Sequence, residues 1–329
     1  MEKIKVIELF AGIGSQTKAL KRLGIEHNVV AICEWDKYAN KSYESTHGKV
    51  HNYGDITKVK KLPYCDLLTY SFPCQDISVA GDMKGFKKGS GTRSGLLWEV
   101  ERLLSNMSEK PKYLLLENVK NLVGEQNKQD FDEWLMQLDR LGYVSYWDIL
   151  NAKDYGVPQN RERVFAISIR KDINQKRKPF AIGFYDNNTY VFPKKIPLKF
   201  TIKDIADFET EVPRKIVKSM YEKTGAFGER FKTQSTISPC VIAKSAYAAI
   251  TNNYYTRDFK EYTINEIYEN DIPLYANSTR MALLLMGFDE DDCKKIELVN
   301  SKAQIYKQAG NSIVVDVLVA IFRELFKED

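Results

Sequence analysis

Short apolar runs alternate along the first half of the chain with stretches of helical spacing. Lys5 to Phe10 reads as a buried strand that enters a glycine-bearing turn, Ala11-Gly12-Ile13-Gly14-Ser15. From Thr17 to Leu23 the residues Ala19, Leu20 and Leu23 share one helical face, closed by Gly24. Val29 to Cys33 is the next strand and ends at Glu34-Trp35-Asp36, while Gly54-Asp55-Ile56 reads as the close of a third strand region. Leu67 to Phe72, Tyr113 to Leu116 and Val164 to Ile169 are further strands. Between them, Ser94 to Leu104 and Phe131 to Leu141 carry helical periodicity, the latter ended by Gly142. Strands and helices in turn predict an α/β architecture with a doubly wound, mostly parallel, Rossmann-like sheet. Ligands of such sheets bind at the C-terminal ends of the strands.

The alternation stops near Lys171. From there to about Asn277 the chain is rich in Lys, Tyr, Asn and Thr and weakly periodic, which predicts a smaller domain of irregular strands. Helical order returns at Thr279 to Phe288 and at Asn311 to Phe326. In the last stretch Ile313, Val314, Val317, Leu318, Ile321, Phe322 and Leu325 form one apolar face. Such a helix packs onto the main domain, so that domain is discontinuous. The expected organisation is 1–171 for the main domain, 172–278 for the insert and 279–329 for the return segment.

At 329 residues and 43% hydrophobic content, the chain can build a substantial core. No apolar run approaches a membrane span and Met1-Glu2-Lys3 opens no signal pattern, so a cytoplasmic protein without membrane contact is expected. The five cysteines are scattered, without metal-ligand or disulfide spacing, which fits a reducing compartment. The three histidines, His27, His47 and His51, form no ligand cluster, and no metal site is expected. The net charge of +5 is compatible with a phosphate-rich partner and proves none.

The turn after the first strand lacks the third glycine of a dinucleotide fingerprint. Its context is more telling. Glu34, at the tip of the second strand, can accept from both ribose hydroxyls. Trp35 offers a flat apolar face to an adenine ring, and Asp55 can accept from its amino group. Solvated carboxylates and a core tryptophan are the plain alternative. With no phosphate-binding glycine or lysine-bearing loop, the pattern favours an adenosine ligand without phosphates, such as S-adenosylmethionine.

A second group of residues carries reactive chemistry. Cys74 follows the strand ending at Phe72, and Pro73 fixes the backbone before it. A buried core cysteine is the ordinary alternative, yet Gln75-Asp76-Ile77-Ser78 is too polar for a core. The loop Ala80 to Arg93 carries Gly81, Gly85, Gly89 and Gly91 with Lys84, Lys87 and Lys88, which reads as a phosphate-seeking lid over Cys74. Glu117-Asn118-Val119 ends another strand, so a thiol and a carboxylate can meet in one cleft for nucleophilic attack with proton assistance. Arg161 and Arg163, two apart on an extended segment, point to one side and can both face that pocket; surface salt bridges are the alternative. Gln308-Ala309-Gly310-Asn311-Ser312 reads as the start of the terminal helix, with Asn311 or Ser312 as N-cap and a seat for a ligand carboxylate.

Together these residues resemble the cytosine-5 DNA methyltransferases of the bacterial and phage restriction-modification type. The matching blocks, in the family's order, are Glu8 to Gly14, Glu34-Trp35-Asp36, Gly54-Asp55-Ile56, Phe72-Pro73-Cys74-Gln75, Glu117-Asn118-Val119, Gln159 to Arg163 and Gln308 to Ser312. Thr279-Arg280-Met281 to Met286-Gly287-Phe288 looks like the block before the last. The resemblance implies a methyltransferase domain with a smaller target-recognition domain, S-adenosyl-L-methionine as donor and S-adenosyl-L-homocysteine as product. It implies Cys74 as nucleophile toward carbon 6 of a cytosine flipped from duplex DNA, and Glu117 as partner of N3. Arg163 would contact the base, while Asn118 and Arg161 hold the site together. Phe10, Gly12, Gly14, Glu34, Trp35, Asp55, Ile56, Pro73, Leu96, Asn311 and Ser312 would line the donor pocket. A monomer acting on double-stranded DNA, with a cognate restriction endonuclease in the same system, completes the expectation. Some of Asn187, Asn188, Arg230, Gln234, Asn252 and Asn253 would reach base edges. Cys240 and Cys293 match no block and read as structural or incidental.

Three rivals stand beside this reading. The same residues can act on transfer RNA, as one branch resembling this family does. A silent DNA-binding relative would keep the fold, although every catalytic position here is filled by a competent residue. A nicotinamide-dependent oxidoreductase shares the first unit but leaves Cys74, Glu117 and Arg163 unexplained.

Overall fold

The computed structural model describes residues 3–74, 77, 94–174, 190–222, 233, 236–243 and 254–327. Gln75, the glycines and lysines of the 80–93 loop, Asn187, Asn188, Arg230, Gln234, Asn252 and Asn253 lie outside the described residues. The chain divides into two compact units. One takes Met1–Leu150, Glu162–Lys194 and Leu318–Asp329; the other takes Asn151–Arg161 and Lys195–Val317. The changeovers therefore fall near 150, 161, 194 and 317, where the sequence pattern placed them at 171 and 278.

The first unit is built on a six-stranded sheet of β1 (Ile4–Leu9), β2 (His27–Cys33), β3 (Leu67–Tyr70), β4 (Tyr113–Val119), β5 (Tyr143–Asn151) and β6 (Glu162–Arg170), in the order β2-β1-β3-β4-β6-β5. β1 runs parallel to β2 and β3, and β3 parallel to β4. β6 runs antiparallel to β4, so the sheet is parallel-rich rather than parallel throughout. The connection from β5 to its neighbour β6 holds only a 3₁₀ turn, Ala152–Asp154, and no helix to carry a parallel crossover. β5 escapes a hydropathy reading because it is an edge strand in which only Tyr143 and Leu150 are fully buried. No strand forms at Gly54-Asp55-Ile56; an isolated bridge joins Ile32 to Asn52, and a 3₁₀ turn follows at Ile56–Lys58.

Helices α1 (Ser15–Arg22), α2 (Lys37–His47), α3 (Leu97–Ser105) and α4 (Lys128–Arg140) accompany the strands. Leu9, Leu68, Tyr70, Leu114 and Leu116 of the sheet pack with Leu103, Trp134 and Leu138 in one core. Trp134 donates from its indole to the Tyr70 hydroxyl at 3.3 Å and meets Trp98 edge-on. That satisfies two buried polar tips inside an apolar layer.

Between 171 and 277, where the sequence suggested irregular strands, the described residues hold short helices as well as a few strand residues; the helices after Thr279 fall where helical order was expected to return. After α5 (Lys171–Asn174) come α6 (Ile202–Ile205), α7 (Arg214–Glu222), α8 (Ile264–Glu269), α9 (Thr279–Leu284), α10 (Glu290–Val299) and α11 (Lys302–Asn311). Two short strands, β7 (Tyr254–Tyr255) and β8 (Tyr275–Ala276), pair antiparallel there, and isolated bridges join Tyr155 to Ile196, Gln159 to Ser238 and Glu211 to Tyr275. Capping boxes explain helices that hydropathy missed. Thr201 with Asp204, Thr263 with Glu266 and Asp289 with Asp292 each satisfy two orphan amides.

The terminal helix α12 spans Val315–Leu325. Asn311 is the last residue of α11 and Ser312 its C-cap, so neither is the N-cap of α12. The stretch Lys302–Leu325 does reach the length and apolarity of a membrane span, against the sequence reading, but 83% of its apolar window is buried inside the fold. It is a core element.

Candidate active site

Three residues after β1 take left-handed backbone: Phe10 at φ 57°, Gly12 at 57° and Gly14 at 80°. For Phe10 this costs on the order of 1 kcal/mol, which the surrounding bonds must hold. Ala11 N–H donates to Cys33 O at 3.2 Å, tying the turn to β2. Gly12 N–H donates to Glu34 Oε2 at 2.8 Å, and Asp36 N–H to Glu34 Oε1 at 2.8 Å. Glu34, 9% exposed, thus fastens the glycine turn to the entry of α2.

Asn52 is a site residue that the sequence reading missed. Its Oδ1 accepts from Glu34 N–H and Gly54 N–H, and its Nδ2 donates to Glu34 O and Asn40 Oδ1. A lone asparagine before Tyr53-Gly54 gave no pattern to find it by. Asp55 caps the 3₁₀ turn, accepting from Thr57 N–H at 3.0 Å and Thr57 Oγ1 at 2.8 Å. Those two bonds, the hydroxyl's first, hold its carboxyl below the usual range. Trp35 stands out beside Glu34 with 81% of its surface exposed. Ile56 belongs to the core cluster against which Phe10, Leu96 and Cys74 pack.

An exposed indole, a backbone-held carboxylate and a glycine turn suit an adenosine group. A Cβ at Gly12 would meet nothing within 4 Å, so the turn leaves open space for a ligand at that point. The residues present fit S-adenosylmethionine.

The thiol lies beyond β3. Cys74 is half-buried and carries a thiol, not a disulfide. Asn118 Nδ2 donates to Phe72 O at 3.0 Å, and its Oδ1 accepts from Val119 N–H at 2.8 Å. Glu117 and Asn118 are consecutive in β4, so they point to opposite faces. Glu117 keeps its own face, on which its neighbour is set by register. Val119 stands opposite Arg163 in the antiparallel ladder, which makes Arg163 the diagonal neighbour of Glu117. Arg163 Nε lies 3.4 Å from Glu117 Oε1, and the carboxylate residue is 7% exposed.

Arg161 bonds partners of its own, separate from the Glu117–Arg163 pair, where the spacing argument put both arginines toward one pocket. β6 starts at Glu162, so the period-two alternation does not extend back to Arg161. Arg161 belongs to the second unit. There its Nη1 donates to Val241 O at 2.9 Å and Cys240 Sγ at 3.3 Å, and its Nη2 to Gly310 O at 2.9 Å and Ser312 O at 2.8 Å. Gln159 does similar work, accepting from Val241 N–H and donating to Leu285 O. Asn311 is exposed and Ser312 buried at the end of α11. Pro73 precedes the thiol.

Beneath the glycine turn lies a second feature the sequence reading passed over. Glu8 is fully buried, and Oε1 accepts from Thr17 Oγ1 at 2.7 Å. Thr17 Oγ1 also lies 3.1 Å from the Tyr43 hydroxyl. Burial pushes the Glu8 carboxyl up to about 7. His47, packed edge-on against Tyr43, is pushed down to about 3, mainly by burial and then by Lys21.

The sheet order, the glycine turn under Glu34 and the strand-end placement of Cys74 and Glu117 define a Rossmann-like methyltransferase fold. The sequence family follows directly. The chain belongs to the C-5 cytosine-specific DNA methylases, whose family model matches residues 4–327. Its enzyme class is DNA (cytosine-5)-methyltransferase. It is 32% identical to Type II methyltransferase M2.ScrFI of Lactococcus lactis subsp. cremoris, over 98% of this chain and 99% of that one. It is 30% identical to Orphan methyltransferase M.SssI of Spiroplasma monobiae, over 98% and 97%. The S. pombe Dnmt2 methyltransferase crystal structure has the same fold, with a TM-score of 0.73 at 20% identity over 98% of each chain.

Proposed function

We propose that the protein methylates carbon 5 of a cytosine swung out of duplex DNA, with S-adenosylmethionine as donor and Cys74 as nucleophile. The reading rests on the family assignment together with one observation: Glu117 and Arg163 face each other beside the strand end that carries Cys74. Carbon 5 of cytosine is a poor nucleophile. A Cys74 thiolate adding at carbon 6 pushes electrons toward carbon 5 and N3. Glu117 shares a proton with N3 and so offsets the charge that develops there. Arg163 holds Glu117 and the base in one plane of contacts. Asn118 keeps the chain before Cys74 against β4. S-adenosylmethionine, when bound by Glu34, Trp35, Asp55 and the glycine turn, supplies an electrophilic methyl group. Loss of the carbon 5 proton then returns the electron pair, and the carbon–sulfur bond breaks to regenerate the thiolate. Carbon 6 is hidden in a stacked duplex, so extrusion is required and costs roughly a few kcal/mol.

The region 172–278 serves as the target-recognition region in this reading, and the protein acts as a cytoplasmic monomer alongside a cognate endonuclease. Bisulfite sequencing of DNA from cells that express the chain tests the modification and its sequence context together. Unmodified cytosines throughout, with methyl groups appearing in transfer RNA instead, would replace this reading with the RNA one.

A further inference from the structure

Four backbone carbonyls around the proposed nucleophile each have a dedicated donor. Phe72 O is held by Asn118 Nδ2 at 3.0 Å. Pro73 O accepts from the Ser94 hydroxyl at 2.7 Å. Cys74 O accepts from Ile77 N–H at 3.1 Å, and Ile77 O accepts from Asn121 Nδ2 at 2.6 Å. The first of these donors belongs to a motif the sequence reading singled out; Ser94 and Asn121 do not.

Both unassigned donors are themselves fixed. Ser94 is fully buried at the start of a 3₁₀ turn, Ser94–Leu96. Asn121 sits in another, Lys120–Val123, directly after β4. Its carbonyl accepts from Gly124 N–H at 3.1 Å and from Nδ2 of the buried Asn127 at 2.9 Å. Gly124 has no Cβ where one would strike Asn121 Oδ1 at 2.5 Å, so the amide lies flat on that turn. Ile77, at the other end of the bond, is fully buried.

We propose that Ser94 and Asn121 are positioning residues for Cys74. Ser94 sets the peptide plane between Pro73 and Cys74, and Asn121 holds Ile77, whose N–H bonds Cys74 O. Neither touches substrate. Removing either donor leaves a carbonyl free to rotate, and the Cα–Cβ vector of Cys74 rotates with it. Displacement of a reacting atom by about 1 Å costs on the order of a hundredfold in rate. DNA binding uses other groups and is unaffected. This inference rests on the nucleophile assigned under the proposed function.

The test is the rate of covalent trapping on a duplex containing 5-fluorocytosine within its methylation site, with S-adenosylmethionine saturating. DNA affinity is measured in parallel by fluorescence anisotropy. Wild type, Ser94→Ala, Asn121→Ala and Asn121→Asp are compared, the last keeping shape while losing the donor. Trapping should slow roughly ten- to a hundredfold in all three variants, with DNA affinity within about twofold of wild type. Ser94→Thr, which restores a hydroxyl, should recover at least part of the rate. Trapping at the wild-type rate in Ser94→Ala or in both Asn121 variants overturns the inference. So does a loss of rate matched by an equal loss of DNA affinity. If Ser94→Ala loses its cooperative thermal transition, the Asn121 pair decides by the same criteria. No trapping by wild type itself would instead sink the proposed nucleophile.

Discussion

Arg163 and Glu117 meet as diagonal neighbours across the β4–β6 ladder, Nε to Oε1 at 3.4 Å, with 17% and 8% of their side chains exposed. A pair this sheltered acts as a unit. Arg163→Ala should lower single-turnover methyl transfer by about a hundredfold, and Glu117→Gln by about 10²- to 10⁴-fold. The double variant should lose little more than Glu117→Gln alone. Fully additive losses in a rapid-quench measurement would show that the two act independently.

Cys74→Ser keeps the size of the side chain but replaces the thiol by a far weaker nucleophile. Turnover should fall by several orders of magnitude while donor affinity, read by calorimetry, stays near wild type. Methylation at a near-normal rate would mean another group attacks carbon 6.

Trp35 exposes 81% of its surface, so it contributes little to the fold and is free to stack on a ligand. Trp35→Ala should weaken donor binding about tenfold, given roughly 1–3 kcal/mol for stacking of a base on an aromatic ring. DNA affinity and the melting temperature should be unchanged. An equal drop in both affinities would remove the stacking role.

Glu8 and His47 set opposing pH dependences. The Glu8 carboxyl is raised from 4.5 to about 7, so the native state holds its proton more tightly than the unfolded chain. That contribution is complete below about pH 4.5 and fades as pH rises through 7. His47 is depressed from 6.5 to about 3, so its contribution is complete above pH 6.5 and fades as pH falls toward 3. The two slopes offset each other between about 4.5 and 6.5. Above that window Glu8 acts alone, and urea denaturation should show stability declining slightly from pH 6.5 until it levels off just above pH 7, by less than about 1 kcal/mol. Glu8→Gln should flatten that limb. An unchanged decline in the variant would assign it to another group.

Arg161 gathers three carbonyls and a thiol from the second unit. Arg161→Ala removes the guanidinium that joins these groups and should destabilise the protein by about 3 kcal/mol in chemical denaturation. Arg161→Lys should recover little, since a single ammonium cannot reproduce the fork. A lysine variant as stable as wild type would show that charge alone suffices.

Much of the first unit was legible because its strands are buried on both faces and read as plain apolar runs. β1, β3 and β4 fall where those runs do, to within a few residues. β5 was not legible, since an edge strand keeps only part of its surface from water and loses its periodicity. The helices of the second unit depend on side-chain caps such as Thr263 with Glu266, which a hydrophobic pattern does not register. At the candidate site, Glu34, Cys74 and Glu117 were legible as candidates because they stand at or near strand ends. Asn52 and Asn121 could not, because their task is to bond carbonyls and amides contributed by distant parts of the chain. The two arginines show the limit of spacing arguments: two residues apart on the chain, Arg161 and Arg163 bond different partners.

Gly310 lies within α11, where glycine is a poor helix former, yet a Cβ there would run into the backbone of Ile242 and Ala243. A saturation library at this codon should therefore return glycine alone, with alanine as damaging as larger substituents. Helical propensity is sacrificed so that two main chains can touch, and the sacrifice makes position 310 a checkpoint through which any redesign of the 241–243 segment has to pass.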